Sequence, residues 1–260
     1  MVRHIIDVHA HLGVSETLQV GVNVDGLLRL MDANAIEMAI LSPIPGYADP
    51  DGIRDTMAQN DAIAAAVRRH PDRFPTGFGT VEPRHGACAL DEVKRIREEL
   101  ELRGLAFHCD YQGVPIDHPI MYQILERAAA YPGTVVLMHT AQHSVLEPPF
   151  MLAKVAEAFP DIVFINGHPA MNGTHLASSL YVSQKCSNVY LDLAVWYTTR
   201  DPVRLAVTTL GPDRILFGSD LPYYRYSFDK LLVEYAEIPA EVKEAIFWKN
   251  AARLFGIGRS

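Results

Sequence analysis

The chain has 260 residues, 49% of them hydrophobic and 21% charged, a length and composition that suit one globular α/β domain over residues 1–260. A net charge of -8, with no Lys/Arg block, excludes a nucleic-acid binder that works by neutralising phosphates. Three scattered cysteines, Cys88, Cys109 and Cys186, offer no disulfide framework or CxxC pair, which fits a reducing compartment.

The first apolar run begins at Ile5 and closes as Asp7-Val8-His9-Ala10-His11. It is interrupted by Asp7 too early for a signal-peptide core. No run reaches the roughly 20 apolar residues of a membrane span, so the expected protein is soluble and cytoplasmic, with no membrane partner. A homo-oligomer is compatible with this sequence. In a strand, Asp7, His9 and His11 share one face. Two imidazoles so placed can reach one metal ion, or they can serve as hydrogen-bonding residues of a half-buried strand.

A Gly/Val-rich loop and a helix over Asp25–Asn34 follow, then a strand at Met38–Ser42 and a proline-rich loop over Pro43–Ile53. Thr56–His70 is helical, Phe74–Val81 a third strand and Leu90–Leu102 a helix. A strand at Gly104–His108 precedes a helix over Asp117–Tyr131. Strands at Thr134–Thr140 and Ile162–His168 flank a helix at Phe150–Phe159. Helix Leu176–Lys185, strand Asn188–Leu193, helix Val203–Leu210 and strand Ile215–Asp220 complete the alternation, and Phe228–Phe255 is mostly helical.

Eight short apolar strands alternating with helices predict a parallel sheet covered by helices. The count favours a single, slightly distorted (β/α)8 TIM barrel with extra C-terminal helices. No Gly-x-Gly-x-x-Gly follows the first strand, against a dinucleotide-binding sheet. Chemistry in such a barrel sits at the carboxyl ends of the strands, which here carry His9 and His11, Ser42, Glu82, His108, His139, His168, Asp192 and Asp220. The concentration of histidine at one end strengthens the metal reading of the first strand.

The ordered set Asp7-Val-His-Ala-His11, Leu137-Met-His-Thr140, Asn166-Gly-His-Pro169, Leu216-Phe-Gly-Ser-Asp220-Leu-Pro222 and Asn250-Ala-Ala-Arg-Leu-Phe255 resembles the metal-dependent amidohydrolase superfamily. The resemblance is to the compact TIM-barrel branch that includes aminocarboxymuconate-semialdehyde decarboxylase. It implies metal ligands at His9, His11, His139 and Asp220, with Zn²⁺ favoured and Mn²⁺, Fe²⁺ or Co²⁺ alternatives, and no organic cofactor. It also implies a metal-activated water, Asp220 as its proton acceptor and His168 as an acid or electrostatic stabiliser. Asp7 reads as an outer acceptor that fixes an imidazole tautomer, or as a catalytic group. Binuclear relatives carry a carbamylated lysine on the fourth strand, where this chain has Ala106; one metal is expected.

Substrate contacts are expected from His108, Tyr111, His143, Tyr223 and Arg225, with Tyr47, Gln112, Gln142, Tyr224, Arg200, Trp196 and Tyr197 nearby in the loops. Such groups suit a small, partly unsaturated organic substrate. The leading expectation is hydrolysis of an amide, ester or lactone. The first alternative is metal-dependent non-oxidative decarboxylation of an unsaturated or aromatic acid, disfavoured because the chain is short for that branch. A metal- and ligand-binding barrel without turnover is the second.

Overall fold

The computed structural model describes residues 4–15, 19–44, 55–196 and 200–258. Strand β1 (Ile6–Ser15) pairs in parallel with β3 (Met38–Pro43). Its far end also pairs antiparallel with a short β2 (Val20–Val22), where the sequence suggests a loop. Helix α1 (Val24–Ala33) lies between them, started by Asn23, whose side chain accepts the Gly26 N–H. Helix α2 (Thr56–Arg69) leads to β4, reduced to Phe78–Gly79. Pro75 has no N–H to give a ladder, and its neighbourhood meets β3 through a Leu41–Gly77 bridge and the bonds from Ala39 N–H to Arg73 carbonyl and from Leu41 N–H to Thr76 carbonyl.

The rest of the chain alternates as expected: α3 (Ala87–Glu98), β5 (Gly104–Phe107), a one-turn α4 (Cys109–Gln112), α5 (Pro119–Ala129), β6 (Val135–His139), α6 (Pro149–Ala158), β7 (Val163–Gly167), α7 (Gly173–Lys185), β8 (Val189–Leu191) and α8 (Pro202–Leu210). Helices α9 (Phe228–Tyr235), α10 (Ala240–Glu244) and α11 (Asn250–Phe255) follow, with one π-helical turn at Ala245–Lys249. None of the described helices is long and apolar enough to cross a membrane.

Strands β4 to β8 form one parallel sheet and β2-β1-β3 another. The stretch 215–221 joins them. Leu216 N–H donates to Leu191 carbonyl, Val8 N–H to Phe217 carbonyl, Asp220 N–H to His9 carbonyl and His11 N–H to Leu221 carbonyl. With the Leu41–Gly77 bridge on the other side, this closes a TIM barrel. The stretch is not a continuous ladder because its end bends: Asp220 is left-handed (φ 58). The backbone passes close to both neighbours at Gly218, where a Cβ would lie 3.1 Å from that of His9 and 3.2 Å from that of Asp192.

The inner faces are layered. Val135, Leu137 and then His139 follow one another at period two on β6, and Met38, Ile40 and Ser42 on β3. The apolar members join Ile6, Val8, Phe78, Ile165 and Leu216 in an inner cluster, closed at the bottom by Ala251 and Phe255 of α11. The polar members form the layer above. A larger cluster packs the outer faces of the strands against the helices.

Strand β1 breaks this alternation. Its register against β3 shifts between Asp7 and Ala10. Ile6 and Val8 pack in the inner cluster, whereas Ala10 and Leu12 pack in the outer one. This bulge puts His9 and His11 on the inner side already occupied by Ile6 and Val8. Asp7 is left off it, contrary to the expectation of one shared face for all three.

Candidate active site

Four imidazoles converge on the carboxyl end of the barrel, and each is held through Nδ1. His9 Nδ1–H donates to Asp192 Oδ2 at 2.5 Å, and His11 Nδ1–H to the Pro43 carbonyl at 3.0 Å. His139 Nδ1–H donates to Glu147 Oε1 at 2.5 Å, and His168 Nδ1–H to the Ala194 carbonyl at 3.3 Å. These acceptors assign the tautomers. The other nitrogens then carry lone pairs. Asp220 Oδ1 lies 3.1 Å from His11 Nε2, 3.7 Å from His9 Nε2 and 3.9 Å from His168 Nε2.

Lone pairs of neutral imidazoles facing a carboxylate oxygen repel, and a cation between them removes the mismatch. The donors therefore suit a divalent transition metal. Those of His9, His168 and Asp220 lie within 4.8 Å of one another, with His11 attached through Asp220. His139 groups with His108 and Glu147 instead, its ring centroid 4.6 Å from that of His168. Its Nδ1 is taken by Glu147, leaving Nε2 as its available donor.

The electrostatics follow from burial. Burial pushes His9 and His168 down to about 3, so both rings are neutral at pH 7. Burial also pushes Asp220 up, but the imidazoles of His168, His11 and His9 outweigh it and hold its carboxyl well below the usual range. Both Asp220 and His168 have left-handed backbones (φ 58 and 56), conformations costly for non-glycine residues and typical of functional positions. Their amides are secured: Asp220 N–H by His9 carbonyl and His168 N–H by Asp192 Oδ1.

Asp7 does not orient an imidazole. Its carboxylate accepts the backbone N–H of His9 and both the N–H and hydroxyl of Ser219, pinning β1 to the stretch before Asp220. The β1 bulge is the reason, since it turns Asp7 away from the cavity that His9 and His11 line. The tautomer-fixing acid on His9 is Asp192.

A cavity of about 240 Å³ opens above these groups. His108, Tyr111, Gln112, Tyr223 and Tyr224 line it as expected from sequence, joined by Ile44, Gln59, Thr80, Ala106, Phe107, Leu137, Met171 and Val195. Ala106 thus faces the cavity where a bridging lysine would otherwise project. His143 is exposed and lines only an adjoining depression. Arg225 is exposed and outside the cavity, its carbonyl accepting from Asn34; the loop after Asp220 turns its side chain to the surface. Arg200 is also exposed, and Gln142 does not line the cavity. Trp196 is buried and donates to the Asp192 carbonyl. Tyr47 and Tyr197 lie outside the described residues.

Sequence reasoning assigned no role to Asp192 or Ser42, though both stood among the strand ends. Ser42 Oγ lies 2.9 Å from His11 Nδ1. Glu147 was missed altogether. It is a lone acid in a loop, and only its position ahead of Pro148-Pro149 distinguishes it.

A family profile described as amidohydrolase matches residues 6–257. The chain belongs to the amidohydrolase family. The chain is 23% identical over 290 aligned positions to gamma-resorcylate decarboxylase from Polaromonas sp. strain JS666, covering 90% of the chain and 88% of the relative. It is 29% identical over 121 positions to 2-amino-3-carboxymuconate-6-semialdehyde decarboxylase from Dictyostelium discoideum, covering 44% and 33%. Among solved structures, it superposes on dihydroxybenzoic acid decarboxylase from Polaromonas sp. JS666 with a TM-score of 0.75 at 20% identity, covering 99% of this chain and 98% of that one. That structure holds manganese and the inhibitor 2-nitroresorcinol. All three of these similar proteins are decarboxylases.

Proposed function

We propose that the protein is a metal-dependent, non-oxidative decarboxylase of a small aromatic or unsaturated carboxylic acid. The observation that carries this reading is Asp220: among the described residues lining the cavity it is the one carboxyl group, and it sits inside the imidazole cluster beneath aromatic walls. The decarboxylase relatives support the same reading and reverse the order set by sequence, which put hydrolysis first. The chain is still shorter than gamma-resorcylate decarboxylase, since 90% of its 260 residues are spread over 290 aligned positions, and this length difference remains the one sequence feature that favours hydrolysis.

His9, His11, His139 and Asp220 would hold one divalent metal, with His168 at its edge. The mixed imidazole and carboxylate set accepts Zn²⁺ or Mn²⁺. When bound, the metal supplies a fixed positive charge that orients the substrate and stabilises developing negative charge. Tyr111 and Tyr223 provide flat apolar surface for a ring. Tyr223 Oη and Gln59 Oε1 are buried without hydrogen-bond partners and line the cavity, so ring substituents can satisfy them.

Asp220 then moves the proton. It takes up a proton from the solvent pool, delivers it to the ring carbon that bears the carboxylate, and so returns to its carboxylate form. The bond from that carbon to the carboxylate breaks, its electron pair returns to the ring, and CO2 leaves. The sum is one carboxylate and one proton converted to CO2 and a ring C–H. His168, neutral and next to Asp220, steadies the charge that moves across the ring.

The test is incubation of metal-loaded protein in D2O with a panel of hydroxylated benzoates and, separately, esters, lactones and amides. Release of CO2 with one deuterium at the vacated carbon is the expected result. Cleavage of an ester, lactone or amide with no CO2 from any acid would overturn the proposal in favour of hydrolysis.

A further inference from the structure

Glu147 lies in the loop between β6 and α6, fully buried. Its Oε1 takes the Nδ1–H of His139 at 2.5 Å. Its Oε2 accepts the backbone N–H of Asp110 at 3.2 Å and lies 3.3 Å from Nδ1 of His108. The angle of that last contact falls short of a hydrogen bond, yet His108 Nδ1 is buried and has no other partner. The two imidazoles stack with centroids 3.6 Å apart and planes 13° from parallel. In its neutral form each ring has one N–H to place.

A carboxylate can only accept, so one carboxylate facing two Nδ1 atoms draws the proton of both rings to Nδ1. His139 keeps Nε2 bare for a metal. His108, which lines the cavity, keeps Nε2 bare for the substrate. We propose that Glu147 is a positioning residue that sets both tautomers at once, making His139 a metal ligand and His108 a hydrogen-bond acceptor for a hydroxyl on the substrate ring. The identities of metal and ring rest on the decarboxylase reading; the tautomers do not.

The same geometry couples the two halves of the site. The loop that carries Glu147 also holds the start of α4 through Asp110, so His108 and Tyr111 are fixed relative to His139 by one buried side chain. A glutamine at 147 offers one acceptor and one donor. The closer His139 contact retains the acceptor, so the amide NH2 replaces the oxygen that accepted from Asp110, gives up that bond, and faces His108 Nδ1, forcing its proton onto Nε2.

The experiment is two-bond ¹H–¹⁵N NMR of histidine-labelled, Zn²⁺-loaded protein, with calorimetry of benzoate and 2-hydroxybenzoate binding. Wild-type protein is expected to show Nδ1–H for both His108 and His139. Glu147→Gln is expected to move His108 to Nε2–H and to cut the preference for 2-hydroxybenzoate over benzoate about tenfold, the worth of about one hydrogen bond. Glu147→Leu, which removes both acceptors, is expected to weaken Zn²⁺ about 10- to 100-fold in a chelator competition.

An Nε2–H tautomer at either histidine in the wild type would overturn the proposal, and this needs no variant to fold. So would an unchanged His108 in Glu147→Gln, or unchanged Zn²⁺ affinity in Glu147→Leu. Correct tautomers in a protein that releases CO2 from no acid would refute the decarboxylase reading alone.

Discussion

His9 and Asp192 meet at 2.5 Å across 183 residues of sequence, one on β1 and the other just past β8. The second oxygen of Asp192 holds the backbone N–H groups of His168 and Ala194 at 3.2 and 3.1 Å. One buried carboxylate therefore orients an imidazole and sets the strained backbone beside it. Asp192→Asn can keep the amide bonds through its carbonyl oxygen while presenting an NH2 to His9. Metal affinity is expected to fall about 10- to 100-fold, read by chelator competition at pH 7.5. Unchanged affinity would show that Asp192 does not govern His9.

Asp220 is assigned both metal contact and proton delivery. Asp220→Asn keeps the shape and removes the acid. CO2 release per metal-loaded site is expected to drop by about 10² to 10⁴, while calorimetric affinity for the substrate changes only a few-fold. Turnover within threefold of wild type would remove Asp220 from the proton path.

The double variant His9→Ala, His11→Ala is expected to lose the metal and keep its circular dichroism spectrum, because the apolar layer below these residues supports the barrel independently. Wild-type protein purified without chelator is expected to carry close to one metal per chain, since Ala106 provides no bridging group. Two tightly held metals per chain would contradict this assignment.

Behind the site, within electrostatic reach of Asp192 and Asp220, Asp229 of α9 is buried, and that burial pushes its carboxyl well above the ordinary value. The unfolded chain releases this proton near pH 4, whereas the folded protein retains it. The native state therefore binds more protons, and stability falls as pH rises above about 4 toward the folded pKa. Asp229→Asn, which mimics the protonated acid, is expected to raise the denaturation midpoint at pH 8 and leave it unchanged at pH 3. Equal shifts at both values would rule out ionisation as the cause.

The strand ends were readable from sequence because period-two burial forces histidine to the top of an otherwise apolar inner face, as in Val135, Leu137 and His139. What holds those histidines was less readable. Glu147 and Asp192 act through folded geometry, and no local spacing ties Glu147 to His108 or Asp192 to His9. The last barrel strand was legible as an apolar run but not as an irregular one, because its course depends on Asp7 binding Ser219 from another strand. Loop residues fared worst. Tyr111 and Tyr223 reach the cavity, whereas Arg225, two positions beyond Tyr223, points to solvent.

The register slip in β1 also bears on transplanting this motif. On an evenly pleated strand, Ile6 and Val8 face the opposite way from His9 and His11. Copying Asp7–His11 onto such a strand would either strand the histidines among the helices or push Val8 out of the barrel floor. The transferable unit is therefore the five residues together with the neighbouring Ser219 that accommodates the slip by engaging Asp7.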